Sequence, residues 1–212
     1  MIRREVKSRD TAWARRVAEW LAVRGVRPNW ISVASVFFAL GGAVCVAVAP
    51  RLRLPWKSVF YLLAIVGIQG RLLCNLFDGM VAIEGGRKTR SGELFNDFPD
   101  RLSDTMLLVG AGAAIGGTGG VALGFTCAVT ALLTAYARVL AGSAGATQRF
   151  LGPMAKQHRM ALLTVCFLLA AAGARWQSDW WILVAGLGLL LAGCVVTVVR
   201  RLIAAFRELE CG

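Results

Sequence analysis

Residues 71–104 read RLLCNLFDGMVAIEGGRKTRSGELFNDFPDRLSD and carry more chemistry than the rest of the chain together. The stretch holds Asp78, Glu84, Glu93, Asp97, Asp100 and Asp104, half of the twelve acidic residues. On both sides of it the sequence is strongly apolar: 57% of the 212 residues are hydrophobic, and the mean hydropathy is +0.63. Ionisable groups set in apolar helices are costly, so they face a cavity, a partner or a metal and mark function by default. A catalytic or ion-handling site is therefore the first expectation.

Working outward, apolar runs at 30–49, 56–83, 94–115, 121–142, 160–176 and 180–199 each approach the ~20 residues that span a hydrocarbon core. The run at 160–176 is the shortest. The run at 56–83 is interrupted by Arg71, Asn75 and Asp78, so its last turns are expected outside the bilayer core. The expected fold class is an all-α integral membrane protein of six transmembrane helices.

Lys and Arg in the short loops set the orientation. They crowd the segment before the first run, the second loop (Arg87, Lys88, Arg90), the fourth loop (Arg149, Lys156, Arg159) and the tail (Arg200, Arg201, Arg207). The opposite side carries only Arg51, Arg53, Lys57 and Arg175. Both termini and the acidic cluster are thus expected on the cytoplasmic side. This asymmetry accounts for most of the net charge of +12, and no nucleic-acid partner is needed to explain it. The six cysteines are scattered without paired spacing, which gives neither a disulfide framework nor a zinc site. The first twenty residues lack the apolar core of a signal peptide.

Residues 1–27 read as a cytoplasmic or interfacial amphipathic segment, with Trp13, Val17, Trp20, Leu21 and Val23 able to share one helix face and arginines elsewhere. A plain positive-inside anchor explains the segment equally well. Residues 28–212 read as one six-helix membrane domain. Small residues at 41–43, 110–117 and 185–193 allow close helix packing, and Trp30, Trp56, Trp176, Trp180 and Trp181 stand at span ends as an aromatic belt.

Within the opening stretch, Arg71, Asn75, Asp78, Gly79 and Ala82 fall within about a third of a helix circumference. Glu93, Asp97, Asp100 and Asp104 follow i, i+4, i+7, i+11 on the next helix, with Asn96 beside them. If the two helices lie side by side, these oxygen-rich faces converge on a hard cation such as Mg²⁺. The joining loop, GGRKTRSG, offers backbone donors with Lys88 and Arg90 for phosphate oxygens. The competing reading is a salt-bridge network between these acids and Arg71, Arg87, Lys88, Arg90 and Arg101. That network would not explain why Asn75, Asp78, Gly79 and Ala82 share a face.

The spacing resembles the CDP-alcohol phosphotransferase signature D-x2-D-G-x2-A-R-x8-G-x3-D-x3-D. Asp78, Gly79, Ala82, Gly92 and Asp100 match it in register; Asn75, Asn96 and Ile83 stand where it has Asp, Asp and Arg. The chain is similar in this to a divergent bacterial subgroup with N-x2-D-G and G-x3-N-x3-D-x3-D. The resemblance spans nearly the whole chain and implies a six-helix enzyme of the cytoplasmic (inner) membrane, commonly a homodimer. Such an enzyme transfers the phosphatidyl group of CDP-diacylglycerol to an alcohol and releases CMP. It implies one or two Mg²⁺ or Mn²⁺ ions held by Asn75, Asp78, Asn96, Asp97 and Asp100. Asp100 would be the general base, with Asp104 the alternative.

Gly79, Ala82, Lys88, Arg90 and Gly92 would then take the CDP moiety. Arg138, Lys156 and Arg159 would take the phosphate of an acceptor such as glycerol 3-phosphate, although the positive-inside pattern accounts for these cations equally well. A non-catalytic CDP-lipid or metal-binding relative is the main rival, and a cation transporter a weaker one.

Overall fold

The structure is a computed structural model that describes residues 11–84 and 92–211; the side chains of Glu84, Glu93, Asn96 and Cys211 fall outside that description. Lys88 and Arg90, expected to touch CDP, and the first ten residues of the amphipathic segment lie outside the described residues. The described chain is helical: α1 (Ala12–Val23), α2 (Pro28–Val48), α3 (Trp56–Glu84), α4 (Gly92–Ile115), α5 (Gly117–Ser143), α6 (Lys156–Gly173) and α7 (Asp179–Cys211).

Among the described residues, five helices are long and apolar enough to cross a membrane: α2, α3, α5, α6 and α7. The sixth expected span corresponds to α4, whose apolar half ends at Ile115 and whose other half carries Asp97, Asp100, Arg101 and Asp104. Its length matches the others; its acids are what set it apart. Helix α7 runs well past the expected end at residue 199, so Arg200, Arg201 and Arg207 are helical and do not form a loose tail.

Local chemistry places the helix ends. Pro28 sits in the first turn of α2, where its missing N–H costs nothing. Gly25 follows α1 with φ +74°, and the amides of Gly25 and Val26 close back on Ala22 O (3.0 Å) and Leu21 O (3.1 Å). Gly116 and Gly117 both take positive φ, which lets α4 turn into α5 with one residue between them. Pro99 lies inside α4, so the carbonyl one turn before it loses its helical donor immediately ahead of Asp100.

The six long helices close a ring in the spatial order α2, α3, α6, α7, α5, α4, with each neighbour packed on the next and α4 also touching α7. Helices α3 and α4 make little direct contact, because α2 packs on both. The two acidic faces therefore meet through long side chains and not through side-by-side helices. One apolar core fills the ring, built from residues such as Leu107, Leu108, Met160, Phe167, Leu183 and Leu187.

Close approach depends on the small-residue runs. A Cβ on Gly67 of α3 would stand 2.7 Å from Gly42 Cα and from Phe38 O of α2. A Cβ on Gly112 of α4 would stand 2.6 Å from Gly120 O and Gly124 Cα of α5. Neither backbone can yield at such distances, so glycine is required where these helices cross.

Helix α1 rides on α3 by a narrow face of small residues. Ala14 and Ala18 are buried with Ile31, Met80 and Val81, whereas Trp13, Val17, Trp20 and Val23 are exposed. Alanines let α1 lie close, and the bulkier residues turn outward; only the edge of Trp13 meets Phe77, at 5.9 Å. Trp30, Trp56, Trp176, Trp180 and Trp181 are exposed near helix ends, as the aromatic belt requires.

Candidate functional site

The site begins on α3. Arg71 and Asp78, two turns apart, are buried, and Asn75 lies between them. Arg71 is entirely buried, and its Nη2 donates to Asp104 Oδ1 at 2.6 Å, to the Asp100 carbonyl at 3.1 Å and to Asp100 Oδ1 at 3.3 Å. Asn75 Nδ2 donates to the same Asp100 Oδ1 at 3.0 Å. These bonds span the gap between α3 and α4, joining the two halves of the motif across 25 residues of chain.

Helix α6 closes the site from a third side. Lys156 Nζ donates to Asn75 Oδ1 at 2.8 Å and pairs with Asp100 Oδ2. Arg159, one turn on and 1% exposed, donates to Asp104 Oδ2 at 2.6 Å, to Met154 O at 3.0 Å and to Thr134 Oγ1 at 3.2 Å. Asp104 is thus clamped at both oxygens by two buried arginines, an arrangement that suits a structural carboxylate better than a proton acceptor.

Asp78 has a different setting. It is 4% exposed, and its Oδ2 accepts a 2.7 Å bond from Ser32 Oγ of α2. Among the described residues no Lys or Arg contacts it; it accepts from neutral donors, Ser32 and the Gly79 amide, and Lys156 acts on it from beyond contact distance. A buried charge without a countercharge is costly, and a bound cation is one way to supply it. Asp97 is nearly half exposed and pairs with Arg138 of α5 (3.2 Å) and Arg101 (3.4 Å). Gly79 and Ala82 follow Asp78 within the next turn, and Gly92 opens α4. No three His, Cys, Asp or Glu side chains gather around one point among the described residues.

Beside Asp97 lies a small cleft between α5 and α7, lined by Arg138, Thr147, Arg149, Arg201 and alanines. Arg201 is 7% exposed and donates from Nε to Leu151 O at 2.9 Å and from Nη1 to Thr134 O. Thr134 thereby links Arg159, on the Asp104 clamp, to Arg201 in the cleft. Arg138 also lies over the Phe150 ring, 5.1 Å from its centroid. Arg138 is paired with Asp97 and Arg149 with Glu208 (3.0 Å), which leaves Arg201 as the arginine of this shallow cleft with no carboxylate partner among the described residues, a place suited to an anion.

Of the expected site residues, Asn75, Asp78, Asp100 and Lys156 come together, and Asp104 joins Arg159 one layer deeper. Arg138 stands apart from Lys156 and Arg159, on Asp97. The salt-bridge network weighed against a functional site is present in part, through Arg71 and Arg101. Ser32, Thr134 and Arg201 were not singled out from sequence. Arg201 read as a tail charge, and nothing in the pattern of α2 or α5 marks a lone Ser or Thr.

No family model matches the chain. The inner membrane protein YnbA of Escherichia coli (strain K12) is 26% identical over 165 residues, 75% of each chain. Among solved structures, the Mycobacterium tuberculosis phosphatidylinositol phosphate synthase PgsA1 with CDP-DAG bound superposes with TM-score 0.73 at 21% identity, covering 93% of this chain and 95% of that one. The same synthase in complex with manganese and citrate gives TM-score 0.74 at 21% identity, over 93% and 90%. The chain therefore has the helical fold of this phosphatidylinositol phosphate synthase.

Proposed function

We propose that the protein is a CDP-alcohol phosphatidyltransferase that moves the phosphatidyl group of CDP-diacylglycerol to an alcohol and releases CMP. The observation that carries this reading is the meeting of Asn75, Asp100 and Lys156 from three helices beside Asp78, in the fold of a synthase solved with CDP-DAG. Helix α4 is the sixth span, its acidic half lies at the cytoplasmic surface with both termini, and two copies form the working dimer. Residues 1–27 lie at the interface, and 28–212 form the catalytic unit.

The donor set fits a Mg²⁺ or Mn²⁺ ion on Asp78, because that carboxylate is buried, has no cation in contact among the described residues and lies one turn from Asn75. Asn75 and Asp100, and by sequence Asn96 and Asp97, are the residues that would help hold it. When bound, the ion supplies charge stabilisation to the diphosphate as the bond to CMP breaks.

The chain's own residues do the rest. Asp100 Oδ1 already accepts from Arg71 and Asn75, whereas Oδ2 accepts from Lys156 and keeps a second lone-pair direction. That oxygen takes the proton of the acceptor hydroxyl as the hydroxyl attacks the β-phosphorus of CDP-diacylglycerol. Arg71, tied at once to Asp100 and Asp104, holds the base in place. Gly79, Ala82 and Gly92 leave room for cytidine and diphosphate; Lys88 and Arg90, outside the described residues, remain the sequence's candidates for its phosphates. The cleft of Arg138, Arg149 and Arg201 receives a phosphorylated acceptor, which favours a polyol phosphate such as glycerol 3-phosphate over an uncharged alcohol.

The test is CMP release by purified protein from CDP-diacylglycerol with Mg²⁺ or Mn²⁺ and a panel of alcohols and polyol phosphates. Metal-dependent release with one acceptor is expected, and Asp100→Ala should abolish it while the protein stays folded. Near-normal turnover by that variant would sink the assignment. A CDP-lipid-binding relative without turnover is the second reading. It is favoured by the amide at Asn75 and by Asp100 being paired at both oxygens. CDP-lipid binding with no release for any acceptor would establish it instead.

A further inference from the structure

We propose that Lys156 is a built-in cation of this site, which stands where a second divalent ion would otherwise bind and limits the site to a single Mg²⁺ or Mn²⁺. The inference rests on the functional reading above and adds the ion count and the residue that sets it.

The position of the ammonium carries the argument. Lys156 Nζ draws together Asn75 Oδ1 and Asp100 Oδ2, an amide and a carboxylate oxygen from two helices, while its own helix is a third. A hard divalent ion recruits the same kind of oxygens in the same way. The side chain is 20% exposed, and the carboxylate it pairs with only 6%, so the charge is held in the site and not waving in solvent.

Charge then limits the number of ions. Among the described residues, Asp78, Asp100 and Asp104 are the buried carboxylates here, and Arg71, Arg159 and Lys156 are the cations that meet them. Counted over these described residues, three carboxylates and three cations, the cluster is neutral before anything binds. A nucleotide diphosphate esterified at both ends brings about two negative charges, which one divalent ion balances. A second ion would leave an excess of positive charge in a site walled by apolar helices, where such an excess is expensive. Asp100 has both oxygens engaged by Lys156, Arg71 and Asn75, whereas Asp78 accepts from the Ser32 hydroxyl and a backbone amide and has no cation in contact among the described residues. The single ion therefore centres on Asp78, and Lys156 serves as a positioning residue that holds Asn75 and Asp100 in its place.

The experiment is Mn²⁺ titration of the purified protein in detergent, with free Mn²⁺ read by electron paramagnetic resonance, and CMP release measured on the same preparation. Wild type should saturate at about one Mn²⁺ per chain, and Lys156→Arg should do the same. Lys156→Met removes one positive charge at contact distance and should tighten that ion by about tenfold or more. Lys156→Met with Asn75→Asp should saturate at about two Mn²⁺ per chain. Two ions on the wild type, or one on the folded double variant, would overturn the proposal. If the double variant does not fold, unchanged Mn²⁺ affinity in Lys156→Met overturns it alone. Wild type that binds two ions and releases CMP would refute the ion count and leave the transferase reading intact. One ion without CMP release would refute the transferase reading and leave the count.

Discussion

Replacing Asp104 by Asn should destabilise the protein more than any other single change in the site. The carboxylate is 3% exposed and is the shared anion of two arginines that are themselves 0% and 1% exposed, each with a 2.6 Å contact. Removing its charge leaves Arg71 and Arg159 buried close together with one counterion fewer. Breaking a buried pair in this way costs about 3–5 kcal/mol, because the remaining charge stays desolvated. For a chain of this size that corresponds to a fall of roughly 6–20 °C in Tm.

Arg159→Met should cost less, since Asp104 keeps Arg71. Asp104→Leu combined with Arg159→Met should fall short of the sum of the single effects by about 1–3 kcal/mol, the coupling of a shared network. The assay is thermal unfolding in detergent followed by tryptophan fluorescence, with CMP release measured well below Tm. An Asp104→Asn protein that melts within a degree or two of wild type would refute the clamp. If that protein also lost transfer, Asp104 would be the base and Asp100 its support.

Two more expectations test the fold and the acceptor cleft. Gly112→Ala should lower Tm by roughly 3–10 °C, about 1–3 kcal/mol of overpacking where α4 crosses α5, whereas Gly188→Ala, whose Cβ meets nothing, should leave Tm unchanged. Equal melting of the two would mean that α4 and α5 do not approach as described. Arg201→Met should raise KM for a phosphorylated acceptor about 10–100-fold, with a much smaller effect on KM for CDP-diacylglycerol, from the loss of one charge-assisted contact. Equal effects on both substrates would move the cleft out of acceptor binding.

Much of the fold could be read from the chain because membrane helices satisfy their own backbone, so hydropathy alone finds them. The apolar runs of α2, α3, α5 and α6 lie where expected, and the glycine runs of α4 and α5 are crossing points. The acids of α4 pointed to a site, yet by sequence that helix counted as a span, whereas among the described residues it is not apolar enough to stand with the other five. Helix α7 was cut short because its arginines looked like a tail; a helix that leaves the bilayer needs no apolar sequence to continue. On α1 the sequence marked the large apolar residues of an interfacial face, but not the small ones, Ala14 and Ala18, that close approach to α3 selects.

By itself the sequence determined where the long apolar helices run and the register of Asn75, Asp78, Asn96 and Asp100, because these depend on spacing along one chain. Only the tertiary structure decided which cation meets which acid. Lys156 reaches Asn75 and Asp100, Arg159 shares Asp104 with Arg71, and Arg201 leaves the tail to join the core through Thr134. Those pairings follow from the order of helices around the ring, which places α6 against α3 and α7 against α5. Spacing along a helix fixes a residue's face, but the neighbour opposite that face is chosen by packing between segments far apart in the chain.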